Sequence, residues 1–151
     1  MGKKIVYSLE VKDPELAKTI LKYQNNPELI LLAPKDNQKW YVRGFFDSQG
    51  SVFIDEDGFV ILSILSENPK KIDVTQKILQ DNYNIHSIVF HGQHTDIVHE
   101  PSRLLILGLW DMAVFNVQIG MENGQLRERF LVAINKLMDE ECSFIENEDE
   151  K

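Results

Sequence analysis

The stretch Val42-Arg43-Gly44-Phe45-Phe46-Asp47-Ser48-Gln49-Gly50-Ser51 decides how this chain is read. It begins as a helix, with Trp40, Tyr41, Val42, Phe45 and Phe46 crowded around one small residue, Gly44. It ends in Asp47-Ser48-Gln49-Gly50, polar and glycine-terminated, where a helix stops and the chain turns. Two strands are expected next, Ser51 to Asp55 and Phe59 to Ser66, around Glu56-Asp57-Gly58. An Asp-Gly pair between two such runs signals a hairpin, because both positions reach positive φ at low cost.

The pattern extends outward in both directions. Upstream, the motif helix starts near Asn37, after an ambiguous segment over residues 28–37. Before that, Asp13-Pro14-Glu15 supplies an N-cap, a proline at the first helical position and an acid in the first turn. That helix carries Leu16, Ile20 and Tyr23 and stops at Asn26-Pro27. The segment from Lys4 to Val11 alternates apolar and polar residues and reads as a strand. Downstream, Asn68-Pro69 opens a helix bearing Ile72, Ile78 and Leu79 and ending around Asn82. Strands are expected at Ile85 to Phe90 and Arg103 to Trp110, then a short helix capped by Asp111 with Phe115 and Ile119 four apart. A last helix places Leu126, Phe130, Ile134, Leu137 and Met138 along one stripe. The order predicts an α+β domain with one antiparallel sheet backed by helices.

At 151 residues, with 43% hydrophobic and 26% charged residues, the composition is that of a globular protein rather than a disordered one. The apolar run Leu104 to Trp110 is far shorter than the roughly 20 residues that span a bilayer, so no membrane partner is expected. The N-terminus lacks the pattern of a signal peptide, Cys142 is the single cysteine, and there is no Asn-x-Ser/Thr sequon. The expectation is a reduced, cytoplasmic protein. The net charge of −8 is concentrated in residues 139–151, which hold seven acids and one base. That tail is a solvated end, or an anion that competes with nucleic acid for a basic face.

The ten quoted residues resemble the signature of the LAGLIDADG homing endonucleases, which often reads like Gly-Phe-Phe-Asp-Gly-Glu-Gly-Ser. Gly44, Asp47 and Gly50 match it, with bulky apolar residues at Val42, Phe45 and Phe46. The run Leu105 to Asp111, followed by Phe115 to Gly120, resembles that family's last strand and the short helix ending in Ile-Gly. The resemblance implies an αββαββα core over residues 38–138, with an N-terminal strand and helix added over 1–37 and an acidic tail over 139–151. It also implies a homodimer in which the motif helices meet across a two-fold axis at Val42, Gly44, Phe45 and Phe46. Double-stranded DNA is the implied partner. The motif's last acid, from each protomer, would hold Mg²⁺ that activates water and stabilises the leaving oxygen.

The sequence departs from that pattern at the acid itself. Gln49 stands there, a neutral oxygen where a hard cation prefers carboxylate, and Asp47 is the nearest acid. No resident metal or other cofactor is therefore expected, Mg²⁺ entering only if the nuclease is active. Between Arg43 and Lys70 there is no lysine or arginine, against five acids, and the DNA-contacting residues are not identifiable. Strand 59–66 is apolar on both alternations, which implies burial on both faces, by the N-terminal extension or by a partner, or else a greasy exposed face. His86, His91, His94 and His99 lie close together, with Asp96 and Glu100 nearby, as a polar loop or a loosely spaced zinc site. Two functions fit. One is a homing-endonuclease-like protein, DNA-directed by descent, whose metal-dependent cleavage is reduced or lost at Gln49. The alternative is a non-catalytic dimeric interaction or regulatory protein that reuses the fold.

Overall fold

A computed structural model describes residues 12–56, 58–93 and 100–148, with side chains through residue 136. The expected N-terminal strand over 4–11 lies outside the described residues, as do Asp57, His94, Asp96 and His99.

Helix α1, Pro14–Asn25, begins where the side chain of Asp13 accepts from the backbone N–H groups of Glu15 (2.9 Å) and Leu16 (3.3 Å). These two bonds satisfy donors that a helix start leaves without partners. No residue of α1 is buried. The ambiguous segment resolves into a 3-10 helix, Pro27–Leu32, and α2 then runs Lys35–Gln49, two residues earlier than expected. Buried Gln38 ties these pieces together. Its Nε2 donates to the carbonyls of Leu31 (3.1 Å) and Ala33 (2.8 Å), while its Oε1 accepts from Asn82 (2.7 Å).

Strands β1, Gly50–Ile54, and β2, Val60–Ser66, form the expected antiparallel hairpin. Gly58 takes φ +90°, and Asp55 Oδ1 accepts from the N–H of Phe59 (2.8 Å), so turn chemistry fixes the register. Helix α3, Pro69–Tyr83, is capped by the Asn68 side chain and closed by Asn84 in the left-handed region. Strands β3, Ile88–Phe90, and β4, Ser102–Ile106, complete a sheet of order β1-β2-β4-β3 in which every neighbouring pair is antiparallel. Helix α4 covers Leu109–Gln118 and α5 covers Gly124–Glu148.

Three expectations need adjustment. Strand β3 is half the length read from the sequence, because Ile85 closes α3 by donating to Leu79. Strand β4 ends at Ile106, since Leu109 and Trp110 already belong to α4. Asp111 is not the cap of α4. Gly108 is, and Asp111 sits in the first turn, accepting from the N–H of His86 (3.0 Å).

All the helices that reach the core pack on one face of the sheet. Val60, Leu62, Ile64, Leu104 and Ile106 point into it, against Val42 and Phe46 of α2, Ile72 and Ile78 of α3, Phe115 of α4 and Phe130 of α5. The rings of Phe46 and Phe115 meet at 4.6 Å between centroids. Burying each such side chain contributes about 1.5–3 kcal/mol, which makes this layer the main stabilising element. The result is an α+β fold whose sheet keeps its other face uncovered among the described residues.

Candidate functional site

The phase of α2 sets what the motif can do. Gln38, Val42 and Phe46, spaced four apart, face inward and are buried. Trp40, Gly44 and Ser48 share the same spacing and face out, with Trp40 58% exposed. The sequence had placed Val42 and Phe46 with Gly44 on one dimer face, but a helix with 3.6 residues per turn cannot present all three together. Both are wholly enclosed within the chain itself. Phe45 lies at the border, half-buried, with its ring 6.1 Å from that of Tyr41. Counting by four from Gly44 reaches Trp40 and Ser48, the other exposed positions of that helix face.

Gly44 has no neighbour within 4 Å of where a Cβ would stand. Glycine inside an exposed helix costs about 1 kcal/mol relative to alanine, and no contact within the chain compensates. Gly50 is different. A Cβ there would lie 2.3 Å from the carbonyl oxygen of Phe46, so the tight passage from α2 into β1 requires glycine.

Asp47 has a defined task. Its Oδ1 accepts from the N–H groups of Glu122 (3.0 Å) and Asn123 (3.0 Å), and its Oδ2 lies 3.2 Å from the former. Asn123 returns a bond from Nδ2 to the carbonyl of Asp47 (3.1 Å) and accepts from Leu126 N–H (3.3 Å), so the pair anchors the start of α5. Arg43, one turn earlier, donates from Nε to the carbonyl of Ile119 (2.6 Å) and from Nη1 to Glu122 (2.8 Å), and its guanidinium lies 4.5 Å from the Trp40 ring centroid. Carbonyls at a helix C-terminus lack intrahelical donors, and Arg43 supplies one to Ile119, the residue that ends α4. The sequence did not single out Arg43. Its place one turn before an acid at the same helix end was the available signal.

Gln49 is exposed at the end of α2. The donor set at this position does not fit a divalent metal. Gln49 offers one neutral oxygen, and the Asp47 carboxylate is already held by two backbone amides. The two described histidines, His86 and His91, do not come together. His86 Nδ1 lies 3.3 Å from Asp111 and His91 Nε2 lies 3.3 Å from Asp73, in separate pairs. Among the described residues there is no group of three or more His, Cys, Asp or Glu arranged to hold a metal.

The uncovered face of the sheet follows from the strand registers. Phe53 pairs with Ile61, Ser51 with Ser63, Ser63 with Leu105 and Leu105 with Ile88, while Leu65 pairs with Arg103 and Arg103 with Phe90. These rows are apolar apart from two serines and one arginine. Phe90 is 56% exposed and Phe59, at the hairpin end, 63%. Phe59, Ile61 and Leu107 line an open pocket of about 430 Å³ there. The lysines of α3 lie on the helical layer instead, where Lys70 pairs with Glu28 (3.3 Å) and Lys77 with Asp81 (2.8 Å). Arg127 and Arg129 are exposed on α5. No described helix is long and apolar enough to cross a membrane.

Comparison with known proteins gives one match. The model of a family described as a LAGLIDADG-like domain matches residues 36–120. No curated protein and no solved structure matches the chain. The matched span holds nearly all of α2, the four strands, α3 and α4, in the element order that the motif implied, and it exceeds half the chain. On that span and that architecture, the chain belongs to the LAGLIDADG-like domain family.

Proposed function

We propose that this chain is a homing-endonuclease-like protein that has kept the scaffold and lost metal-dependent cleavage. The observation that carries the reading is the chemistry at the end of α2. Gln49 stands where the motif has its last acid, and Asp47, the nearest carboxylate, is occupied as the anchor of α5. A symmetric dimer repeats the deficit, so the shared site lacks two negative charges. The dimer is part of the proposal. It forms along Trp40, Gly44 and Ser48, where an exposed glycine without neighbours lets two backbones approach closely. The test is incubation of purified protein with plasmid DNA and Mg²⁺ or Mn²⁺. Unchanged supercoiled DNA is the expected result, and linear product that EDTA abolishes would contradict it.

The apolar sheet favours a second reading, a dimeric interaction or regulatory protein. A surface that reads DNA gathers lysine and arginine against phosphate. This one has Arg103 alone among the described strand residues, surrounded by Leu65, Phe90 and Leu105. Such a face suits protein contact better than a polyanion.

A further inference from the structure

The open sheet face holds a single charge in an apolar field. Arg103 is exposed on β4, and its register partners on either side are Leu65 and Phe90. On the same face Phe53, Ile88 and Phe90 are 41%, 47% and 56% exposed. Among the described residues Arg103 makes no ion pair and no hydrogen bond, although Glu100 lines the same open pocket of about 510 Å³ with Phe90 and Leu105. Arg43, by contrast, has both a carbonyl and a carboxylate as partners. A contiguous apolar patch with an unpaired arginine inside it has the composition of a protein-binding hot spot. We propose that this face docks an amphipathic helix of another protein, whose apolar stripe carries one Asp or Glu set against Arg103. The inference rests on the interaction-protein reading and names the chemistry of the partner.

Charge and backbone chemistry select that occupant. Covering Arg103 with purely apolar surface would strand a buried charge, so the covering surface has to bring a carboxylate. A polyanion needs many cations, and the described strands supply only this one on the face. Strands β2 and β4 are hydrogen-bonded on both sides, so the face offers side chains and no main-chain partners. An extended peptide laid across it would bury its own N–H and C=O groups without partners, whereas a helix satisfies them internally. Four strands span roughly 14 Å, wide enough to seat one helix of about 10–12 Å diameter. The opposite face already packs helices, so a helix here completes a helix–sheet–helix layering. On such a helix the acid has large apolar residues three and four positions away.

The test pans a phage library of single helices, randomised on one face, against the immobilised full-length chain, and titrates recovered peptides in solution by fluorescence anisotropy. The expected helices carry large apolar residues three or four positions from one Asp or Glu. Changing that acid to Lys in the peptide should weaken binding about ten-fold or more, and Arg103→Glu in the protein should restore it. Recovered helices without an acid, or indifferent to the charge swap, would overturn the proposal and leave the interaction reading standing. Recovery of no helix would overturn it too. Displacement of the peptide by duplex DNA would overturn it by returning the face to nucleic acid. A lower oligomeric mass of Arg103→Glu in light scattering would overturn it by seating a second copy there. Cleavage of plasmid DNA, measured separately, is what would sink the interaction reading itself.

Discussion

At the scale of single residues, Asp47 and Tyr41 show how this helix is committed to structure. Asp47→Ala removes the acceptor that holds the N–H groups of Glu122 and Asn123, so it should cost about 2 kcal/mol in denaturant unfolding. Asp47→Asn keeps a neutral acceptor and should cost less. The hydroxyl of half-buried Tyr41 is sealed from water beside Thr75, without a well-formed bond of its own, while Thr75 donates to the carbonyl of Lys71 (2.7 Å). Burial pushes its hydroxyl from 10.0 up to about 12. The folded state thus favours the neutral phenol more than the unfolded chain does. Its contribution is fully present below about pH 10 and is lost as pH rises through about 12. Tyr41→Phe should remove that part of the alkaline slope, read as unfolding midpoint against pH. An identical slope in the variant would show that Tyr41 is not its source.

At the scale of elements, α2 carries the decisive test of the dimer. Gly44→Ala alone should favour the helix by about 1 kcal/mol, since the Cβ meets open space within the protomer. If a second α2 packs there, the same change weakens association, and Gly44→Glu should give monomers by light scattering where the wild type gives dimers. A wild type that is already monomeric would refute the arrangement. Elements with local punctuation were legible in the sequence: Asp13-Pro14 opens α1, Asn68-Pro69 opens α3, and Gly58 supplies the positive φ of the hairpin. What escaped was whatever depends on phase or on distant partners. Val42 and Phe46 look like neighbours of Gly44 until a helix of 3.6 residues per turn sends them inward. Asp111 has the chemistry of a cap, yet the strand before it ends early enough that Gly108 takes that place and Asp111 turns to His86. At the site, the loss of the acid at Gln49 was plain from the sequence. The occupation of Asp47 was not, because its partners stand about 75 residues away.

At the scale of the whole molecule, charge and surface work against DNA. The body is almost neutral, most of the net negative charge lies after residue 138, and the sheet exposes aromatic and aliphatic side chains. A protein that neutralises several phosphates loses affinity steeply with salt. Here a gel-shift titration at two salt concentrations should show weak binding with a shallow dependence, carried by faces such as that with Arg127 and Arg129. Tight, sequence-specific binding would contradict that. The central claim, however, is that the motif has lost its metal, and calorimetric titration of Mn²⁺ into the purified wild type and Gln49→Glu tests it most directly. The account predicts no saturable site in the wild type and a saturable one in the variant, which restores one carboxylate per protomer. Saturable binding by the wild type that Asp47→Asn abolishes would contradict it, and would make Asp47 a metal ligand rather than the anchor of α5.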